Sequence, residues 1–404
     1  MSQHHKSSLP NDEPPPTFLW RVGHLTWIRI NESTQTRLYV LATVVSMILC
    51  TVLEALIANT QSNAAAVVRL SDIAAGGTPD LNSAFDHGNT SKDPYIGILV
   101  SLQRLKDENV FFVLFHLFQL YLGIDAIVRQ SVIQLIAHTT NELLSVVFAL
   151  VQLGETLTWR SKILSVDDQT NVTTDTSDFW MALRFEIGLA ASLFFLTCVF
   201  AYLCTRLLQQ FGWNTYKRLG ADIKLQMRFR TAQIFLMILK LDAFFHLVFS
   251  VFWFVVMTQE GYYQRDQAAL AWYILHLILT LIQIPALFGA RDSIRKERPS
   301  VMIGFLVVHG LIIIDFIIIL QQSSNSWVFW VLAVCLAILL SLVTMILGFM
   351  VVRNFDKGLK PHIQRLFDEN YREKFKATQK DDSWVIDDDG GDDYNHGNAV
   401  PPTK

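Results

Sequence analysis

Hydrophobic residues are concentrated in eight long runs, which are separated by polar segments. A helix that crosses the hydrocarbon core of a bilayer needs about 20 mainly apolar residues, and each run is close to this length or longer. The runs cover residues 38–58, 110–128, 131–153, 185–208, 233–257, 268–290, 301–321 and 327–352. The pattern predicts an all-α fold, a polytopic transmembrane bundle of about eight spanning helices.

The polar segments predict how the rest of the chain is divided. Residues 1–36 are polar and contain the stretch PNDEPPPT, so we expect a disordered N-terminal segment. Residues 37–353 then form the transmembrane domain, with long loops at 59–109 and 154–184 on one side of the membrane. Residues 354–404 form a tail with an acidic end, DDSWVIDDDGGDD.

The composition is that of a membrane protein. Of the 404 residues, 51% are hydrophobic and 17% are charged, whereas soluble domains average about 25% charged residues. The formal net charge of −3 does not indicate nucleic-acid binding. All four cysteines lie in hydrophobic runs without metal-ligand spacing, so we expect neither a disulfide framework nor structural zinc.

Lysine and arginine predict the orientation of the bundle. They are frequent in the connections 209–232 and 291–300 and at the start of the tail, whereas 259–267 has one arginine and 322–326 has neither residue. Short cytosolic loops are enriched in these residues, so we expect both termini in the cytosol. The glycosylation motifs at Asn89 and Asn171 then fall on the lumenal side, as candidate N-glycosylation sites of a glycoprotein.

The connection 209–232 also carries residues that suit a membrane surface. Trp and Tyr are enriched at membrane–water interfaces, and Lys and Arg are attracted to anionic lipid headgroups. The residues concerned are Trp213, Tyr216, Lys217, Arg218, Arg228 and Arg230. Anchoring of the helix ends accounts for this composition, and specific lipid recognition is the alternative.

Ionisable residues within the predicted spans are candidates for an intramembrane polar site, because they are costly in lipid and usually face the bundle interior. Lys240, Asp242 and His246 lie together in IFLMILKLDAFFHLVF. Lys240 has a long side chain that can reach the headgroups, whereas Asp242 and His246 share one helix face and should point inward. Asp315, in LIIIDFIIIL, needs a partner from another helix, such as His246 or His276.

Two interpretations of Asp242, His246 and Asp315 remain open. A polar track through the three residues suits a proton or cation path, whereas an interhelical hydrogen-bond network would fix the bundle. The sequence has no Walker A loop, GxGxxG, GxSxG or HExxH motif. We therefore predict no enzymatic activity, no catalytic or metal-binding residue and no cofactor.

The C-terminal tail also has two interpretations. Trp384 and Ile386 suggest a docking peptide for a cytosolic protein, and the alternative is a solvated tail without a partner.

Two stretches carry a resemblance to a known family. They are NVFFVLFHLFQLYLGIDAIVRQSVIQLI at 109–136 and QQFGWNTYKRLGADIKLQMRFRTAQIFLMILKLDAFF at 209–245. They resemble an uncharacterised fungal family of multi-pass Golgi apparatus membrane proteins, with the pattern FGW, YK, GAD, an arginine-bearing stretch and LKxDxFF. Here the pattern is occupied by Phe211-Gly212-Trp213, Tyr216-Lys217, Gly220-Ala221-Asp222, Arg228 with Arg230, and Leu239-Lys240 with Asp242, Phe244 and Phe245. The resemblance implies a Golgi location but no particular activity.

The sequence therefore predicts a Golgi-resident integral membrane protein, embedded in the lipid bilayer and acting in trafficking or membrane organisation through cytosolic partners. A proton- or cation-coupled transporter that uses the intramembrane Asp and His residues is the alternative. A carrier predicts a water-accessible cavity that reaches Asp242 or Asp315, whereas a packed interior favours the first function.

Overall fold

The helices of the protein match the hydrophobic runs. The computed structural model describes residues 18–76, 94–219, 223–259, 261–264, 266–323 and 327–357. The helices within these ranges are α1 Phe18–Ile30, α2 Thr34–Ala74, α3 Pro94–Arg129, α4 Val132–Thr170, α5 Ser177–Leu219, α6 Ile223–Gln259, a 3₁₀ helix Tyr262–Gln264, α7 Gln267–Lys296, α8 Pro299–Ser323 and α9 Val328–Val352. Eight of them, α2 to α9, are long and apolar enough to cross a membrane. The predicted all-α polytopic fold is confirmed.

The eight long helices form two four-helix bundles. In the first bundle, α2 and α4 each pack against both α3 and α5. In the second bundle, α6 and α8 each pack against both α7 and α9. Since consecutive spanning helices run in opposite directions, each bundle has up-and-down topology.

The helix junctions fall at two ends of the molecule. One end, which we call the basic end, holds the junctions 129–132, 219–223 and 296–299 and the residues that follow α9. The three basic segments noted in the sequence all belong to this end. The opposite end holds the junctions 74–94, 170–177, 259–267 and 323–328.

The predicted loops 59–109 and 154–184 are largely helical, so that prediction was wrong. At 1.5 Å per residue, α2 is about 60 Å long, whereas the hydrocarbon core is about 30 Å thick. The first bundle therefore projects beyond the membrane at the opposite end. The extensions are too polar to read as spans, but they bury a core of their own. Its residues are Ala64, Ala65, Val68, Tyr95, Ile98, Leu99, Leu102, Ile163 and Phe179.

The N-terminal segment is also more ordered than expected. Residues Phe18–Ile30 form α1, so the prediction of disorder throughout 1–36 was wrong for this part. The sequence of α1, FLWRVGHLTWIRI, begins after the last proline of the proline-rich stretch and is mainly apolar. Ser33 then caps α2, because its side chain accepts a hydrogen bond from the Thr36 N–H. Residues 1–17 and 358–404 lie outside the described part of the chain.

Aromatic side chains fill the contact between the two bundles. The Phe118 and Phe244 rings are stacked with centroids 4.3 Å apart, and the Phe111 and Phe249 centroids are 5.3 Å apart. Such pairs contribute about 0.5–1.5 kcal/mol each beyond the area that they bury. The same core cluster includes Phe112, Phe115, Phe148, Phe245, Phe329 and Trp330. The two bundles are therefore joined by a cluster of packed aromatic rings.

Candidate intramembrane polar site

Asp242 and His246 lie one turn apart on α6, with both side chains fully buried inside the second bundle. His246 Nε2 is 3.7 Å from Asp242 Oδ1. The hydrogen bond that Asp242 accepts comes from another helix, since the Thr344 hydroxyl of α9 donates to Oδ2. The structure thus places the two residues on one inward face, as their spacing indicates.

His309 of α8 joins this pair. Its Nε2 is 3.6 Å from Asp242 Oδ2, and its ring centroid is 5.2 Å from that of His246. His246 Nε2 also lies 2.8 Å from Ser341 Oγ and 3.0 Å from the Ala337 carbonyl oxygen on α9. Three helices therefore converge on one buried group of polar side chains, which we call the α6–α8–α9 site (Asp242, His246, His309, Ser341 and Thr344).

The α6–α8–α9 site is enclosed by packed side chains. The Phe305 ring lies 5.1 Å from the His309 ring, and the Phe316 ring lies 5.2 Å from the His246 ring. His309 is only 1% exposed. Asp242 Oδ1, His246 Nδ1 and His309 Nε2 have no hydrogen-bond partner among the described residues. The site thus holds more polar atoms than the described residues around it satisfy.

Asp315 belongs to a separate buried pair. His276 of α7 places Nδ1 2.8 Å from Asp315 Oδ2 and Nε2 2.9 Å from the Ser250 carbonyl oxygen. Because a carbonyl only accepts, Nε2 is the donor in its contact with Ser250. His276 is therefore the interhelical partner that Asp315 requires. No hydrogen bond or ion pair joins Asp315 to Asp242 or His246 among the described residues, so the expected track is divided into two groups.

Lys240 points away from these groups and joins the two bundles. Its Nζ forms an ion pair with Asp125 of α3, and Arg129 Nε lies 2.7 Å from the other oxygen of Asp125. The Lys240 amine is also 5.8 Å from the centre of the Tyr121 ring. The packing of α3 beside α6 thus supplies Lys240 with a carboxylate partner within the protein, which the sequence did not indicate.

The first bundle contains a layer of hydrogen bonds that sequence reasoning missed. Thr156 and Gln61 both donate to Glu186 Oε1, at 2.7 and 3.2 Å. Asn109 donates to Gln61 Oε1 at 2.7 Å, and Gln152 donates to Asn109 Oδ1 at 2.8 Å. These five buried residues, the polar layer, come from all four helices α2 to α5. The layer could not be predicted from the sequence because four of these residues are uncharged and several lie in segments predicted as loops.

Two glutamates of the first bundle hold the start of α9. The Trp327 indole N–H donates to Glu108 Oε1, and the Phe329 backbone N–H donates to Glu155 Oε1 at 2.8 Å. The first backbone N–H groups of a helix lack partners within it and attract negative charge. Glu108 and Glu155 therefore connect the two bundles at the opposite end. The Asp125–Lys240 ion pair connects them near the basic end.

One of the two predicted glycosylation sites, Asn171, lies at the opposite end. Asn171 is exposed and ends α4 in the left-handed conformation, at φ 53°. Nearby, Asp175 accepts hydrogen bonds from the backbone N–H and the hydroxyl of Ser177, which hold the pKa of its carboxyl group below the usual value. Asn89 lies outside the described residues.

The predicted interfacial residues lie at the basic end. Arg228 donates a hydrogen bond of 3.0 Å to the Lys357 carbonyl, which links the start of α6 to the segment after α9, while Arg230 is exposed. The remaining four occupy the last turns of α5, with side chains outside the described part: Trp213, Tyr216, Lys217 and Arg218. Trp384 and Ile386 also lie outside it.

Comparison with known proteins supports the resemblance seen in the sequence. The chain is 23% identical over 276 residues to a UPF0658 Golgi apparatus membrane protein of the fission yeast Schizosaccharomyces pombe, and the match covers 61% of this chain and 74% of the relative. No family model matches the chain, and no solved structure does. The predicted resemblance to an uncharacterised fungal family is confirmed, and the chain is a multi-pass Golgi membrane protein.

Proposed function

We propose that this chain is a non-enzymatic Golgi membrane protein that acts in trafficking or membrane organisation through cytosolic partners. The observation that carries the proposal is the pairing of intramembrane charged groups inside a packed interior. Asp315 is bound to His276, and Lys240 to Asp125. A carrier needs water or substrate to reach its binding groups, whereas Asp242 and His246 are fully buried and Asp315 is 2% exposed.

The way in which the bundles are joined supports a scaffolding role. Aromatic packing fills the contact between them, and charged groups connect them at both ends. We further propose that the basic end faces the cytosol, because lysine and arginine are enriched in cytosolic loops. This orientation places the C-terminal tail where cytosolic proteins can bind it, and the basic residues where they meet anionic headgroups.

Proximity labelling from the C-terminus tests this function in cells. We expect labelling of cytosolic trafficking proteins by the full chain, and loss of that labelling after Trp384→Ala and Ile386→Ala, with the Golgi location unchanged. An unchanged set of labelled proteins would contradict the role of the tail in binding cytosolic partners.

Glycosylation in the same cells tests the orientation. Asn171→Gln should abolish an enzymatically removable glycan, and the absence of any glycan on the wild-type chain at both motifs would count against the orientation.

A proton- or cation-coupled transporter remains the second candidate, because the α6–α8–α9 site holds polar atoms without partners. Purified chain in liposomes that contain pH- and metal-sensitive dyes separates the two functions. The scaffold predicts no ion flux above that of protein-free liposomes. Flux that Asp242→Asn abolishes, in a variant that still reaches the Golgi, would establish the carrier and reject the scaffold.

A further inference from the structure

We propose that the second bundle contains an intramembrane binding site for a divalent transition metal, Zn²⁺ in the first place, formed by Asp242, His246 and His309. Each residue offers one ligand atom, and these atoms all lie within 4.8 Å of one another. Carboxylate oxygen and imidazole nitrogen are ligands that zinc prefers, and three protein ligands suffice for such a site. The proposal does not depend on a role in trafficking.

The distances are close to those of a tetrahedral site. Zinc–ligand bonds of about 2.0–2.1 Å place neighbouring ligand atoms about 3.3 Å apart. His309 Nε2 is 3.6 Å from Asp242 Oδ2, and one ring nitrogen of His246 lies within 4.8 Å of a ligand atom of each of the other two residues. Binding of an ion would therefore require side-chain rotation that brings the His246 nitrogen closer to the other two ligand atoms.

The unsatisfied atoms of the same three residues point independently to a ligand. Asp242 Oδ1, His246 Nδ1 and His309 Nε2 have no hydrogen-bond partner among the described residues, although each side chain is almost completely buried. Other buried atoms of the described residues also lack partners, but these three residues form a group of His and Asp ligands close enough to share one ion. A bound cation would satisfy all three residues at once.

The neighbouring His276–Asp315 pair differs from this group in its histidine. Both nitrogens of His276 are occupied, one by Asp315 and the other by the Ser250 carbonyl, although Asp315 Oδ1 has no hydrogen-bond partner among the described residues. No third metal-ligating side chain joins the pair within the described part of the chain, and neither ring nitrogen is available to a metal. The contrast assigns metal binding to one Asp–His group and structural pairing to the other.

Residues of α9 form hydrogen bonds with two of the proposed ligands, Asp242 and His246. The Thr344 hydroxyl donates to Asp242 Oδ2 and fixes the orientation of the carboxylate. When His246 Nε2–H donates to the Ala337 carbonyl, 3.0 Å away, the lone pair lies on Nδ1, which has no partner. Metal-bound histidines usually donate their other N–H to a carbonyl or carboxylate in this way. Sequence spacing could not reveal the site, since its ligands lie on two separate helices.

Metal analysis of the purified full-length chain tests the proposal. Detergent-purified wild type, loaded with Zn²⁺ and freed of excess metal, should retain about one ion per chain. Asp242→Asn and His309→Gln should reduce the retained Zn²⁺ by more than about tenfold. Asp315→Asn, a buried aspartate substitution in the same bundle, serves as the matched control and should retain the metal. Equal retention by wild type, Asp242→Asn and His309→Gln would overturn the proposal, as would a wild type that retains none.

A second variant keeps the test decisive if those substitutions prevent folding. His309→Cys retains a zinc ligand and, when loaded with Co²⁺, should show a thiolate-to-metal charge-transfer band that wild type lacks. His276→Cys is the control and should show no such band. Folded His309→Cys protein without the band, under conditions where wild type binds Co²⁺, would contradict the assignment of His309 as a ligand.

Discussion

The two bundles place polar side chains in their interiors in different ways. In the first bundle, Gln61, Asn109 and Glu186 belong to one layer in which hydrogen bonds connect all four helices. In the second bundle, Asp242 and Asp315 belong to two separate groups, and only the His276–Asp315 group has its ring nitrogens satisfied. The first arrangement links four helices through one series of hydrogen bonds, whereas the second leaves Asp242 Oδ1, His246 Nδ1 and His309 Nε2 without partners in one group.

The depth of these residues explains the difference. Gln61, Asn109 and Glu186 lie at the ends of their hydrophobic runs, where the first bundle begins to project beyond the membrane. Amides are inexpensive at that level and can fix helix register. Asp242 and His309, in contrast, lie well inside their runs, where ionisable groups are costly and usually have a function. We conclude that the polar layer serves assembly and that the α6–α8–α9 site is the place to look for activity.

Breaking the polar layer should have the largest effect on stability. Asn109→Leu removes the donor to Gln61 and the acceptor for Gln152, which leaves two buried groups unsatisfied. At about 1–3 kcal/mol for each such group, we expect a loss of about 2–6 kcal/mol. The measurement is the free energy of unfolding of detergent-purified chain in an SDS titration. A variant as stable as wild type would show that the layer contributes nothing to assembly.

A glycine in each bundle allows a more selective comparison. A Cβ at Gly123 of α3 would lie 2.9 Å from Thr43 Cγ2 and 3.0 Å from His138 Nε2. His138 is held by a 2.7 Å hydrogen bond with Tyr39, and Thr43 is β-branched and buried, so neither side chain can move aside easily. Overpacking costs about 1–3 kcal/mol, and replacing glycine within a helix recovers about 1 kcal/mol. We expect Gly123→Ala to destabilise the chain by up to about 2 kcal/mol.

The equivalent substitution in the second bundle should be better tolerated. A Cβ at Gly348 of α9 would lie 2.9 Å from Leu306 Cδ2 and 3.2 Å from Phe235 Cε2. The end of a leucine side chain can rotate away, so the gain in helix propensity should roughly offset the remaining strain. The same SDS titration ranks the two variants. Greater destabilisation by Gly348→Ala than by Gly123→Ala would show that the second bundle is the more rigid of the two.

The spans could be predicted from sequence because the bilayer imposes a simple requirement for about 20 apolar residues. Side-chain pairs four residues apart on one helix can be predicted from helical geometry. That Asp315 needs a partner from another helix can be predicted from the apolar residues around it. The packing of separate helices does not follow from either rule. His309 and Thr344 meet Asp242, and Asp125 meets Lys240, only because particular helices are neighbours. The polar layer was missed because uncharged amides near the ends of hydrophobic runs give no signal in a search for charge.

Two threonines of α4 provide the smallest and most closely matched test of the polar layer. Thr156 is buried and donates to Glu186 across the first bundle at 2.7 Å. Thr158, two residues further along the same helix, is exposed and donates only to the Gly154 carbonyl of its own helix. Thr156→Val and Thr158→Val make the same chemical change, so intrinsic helix propensity cancels between them. A hydrogen bond to a charged group contributes about 1.5–3 kcal/mol and one to a neutral group about 1 kcal/mol.

We therefore expect Thr156→Val to lower the free energy of unfolding by about 1–2 kcal/mol more than Thr158→Val, in the same SDS titration. The difference measures the hydrogen bond between α4 and α5 alone, since neither valine leaves a cavity. Equal values for the two variants would mean that Glu186 finds another donor and that the hydrogen bond from Thr156 does not fix the first bundle. The contrast between a first bundle held by one hydrogen-bonded layer and a second bundle with unpaired ligand atoms would then no longer hold.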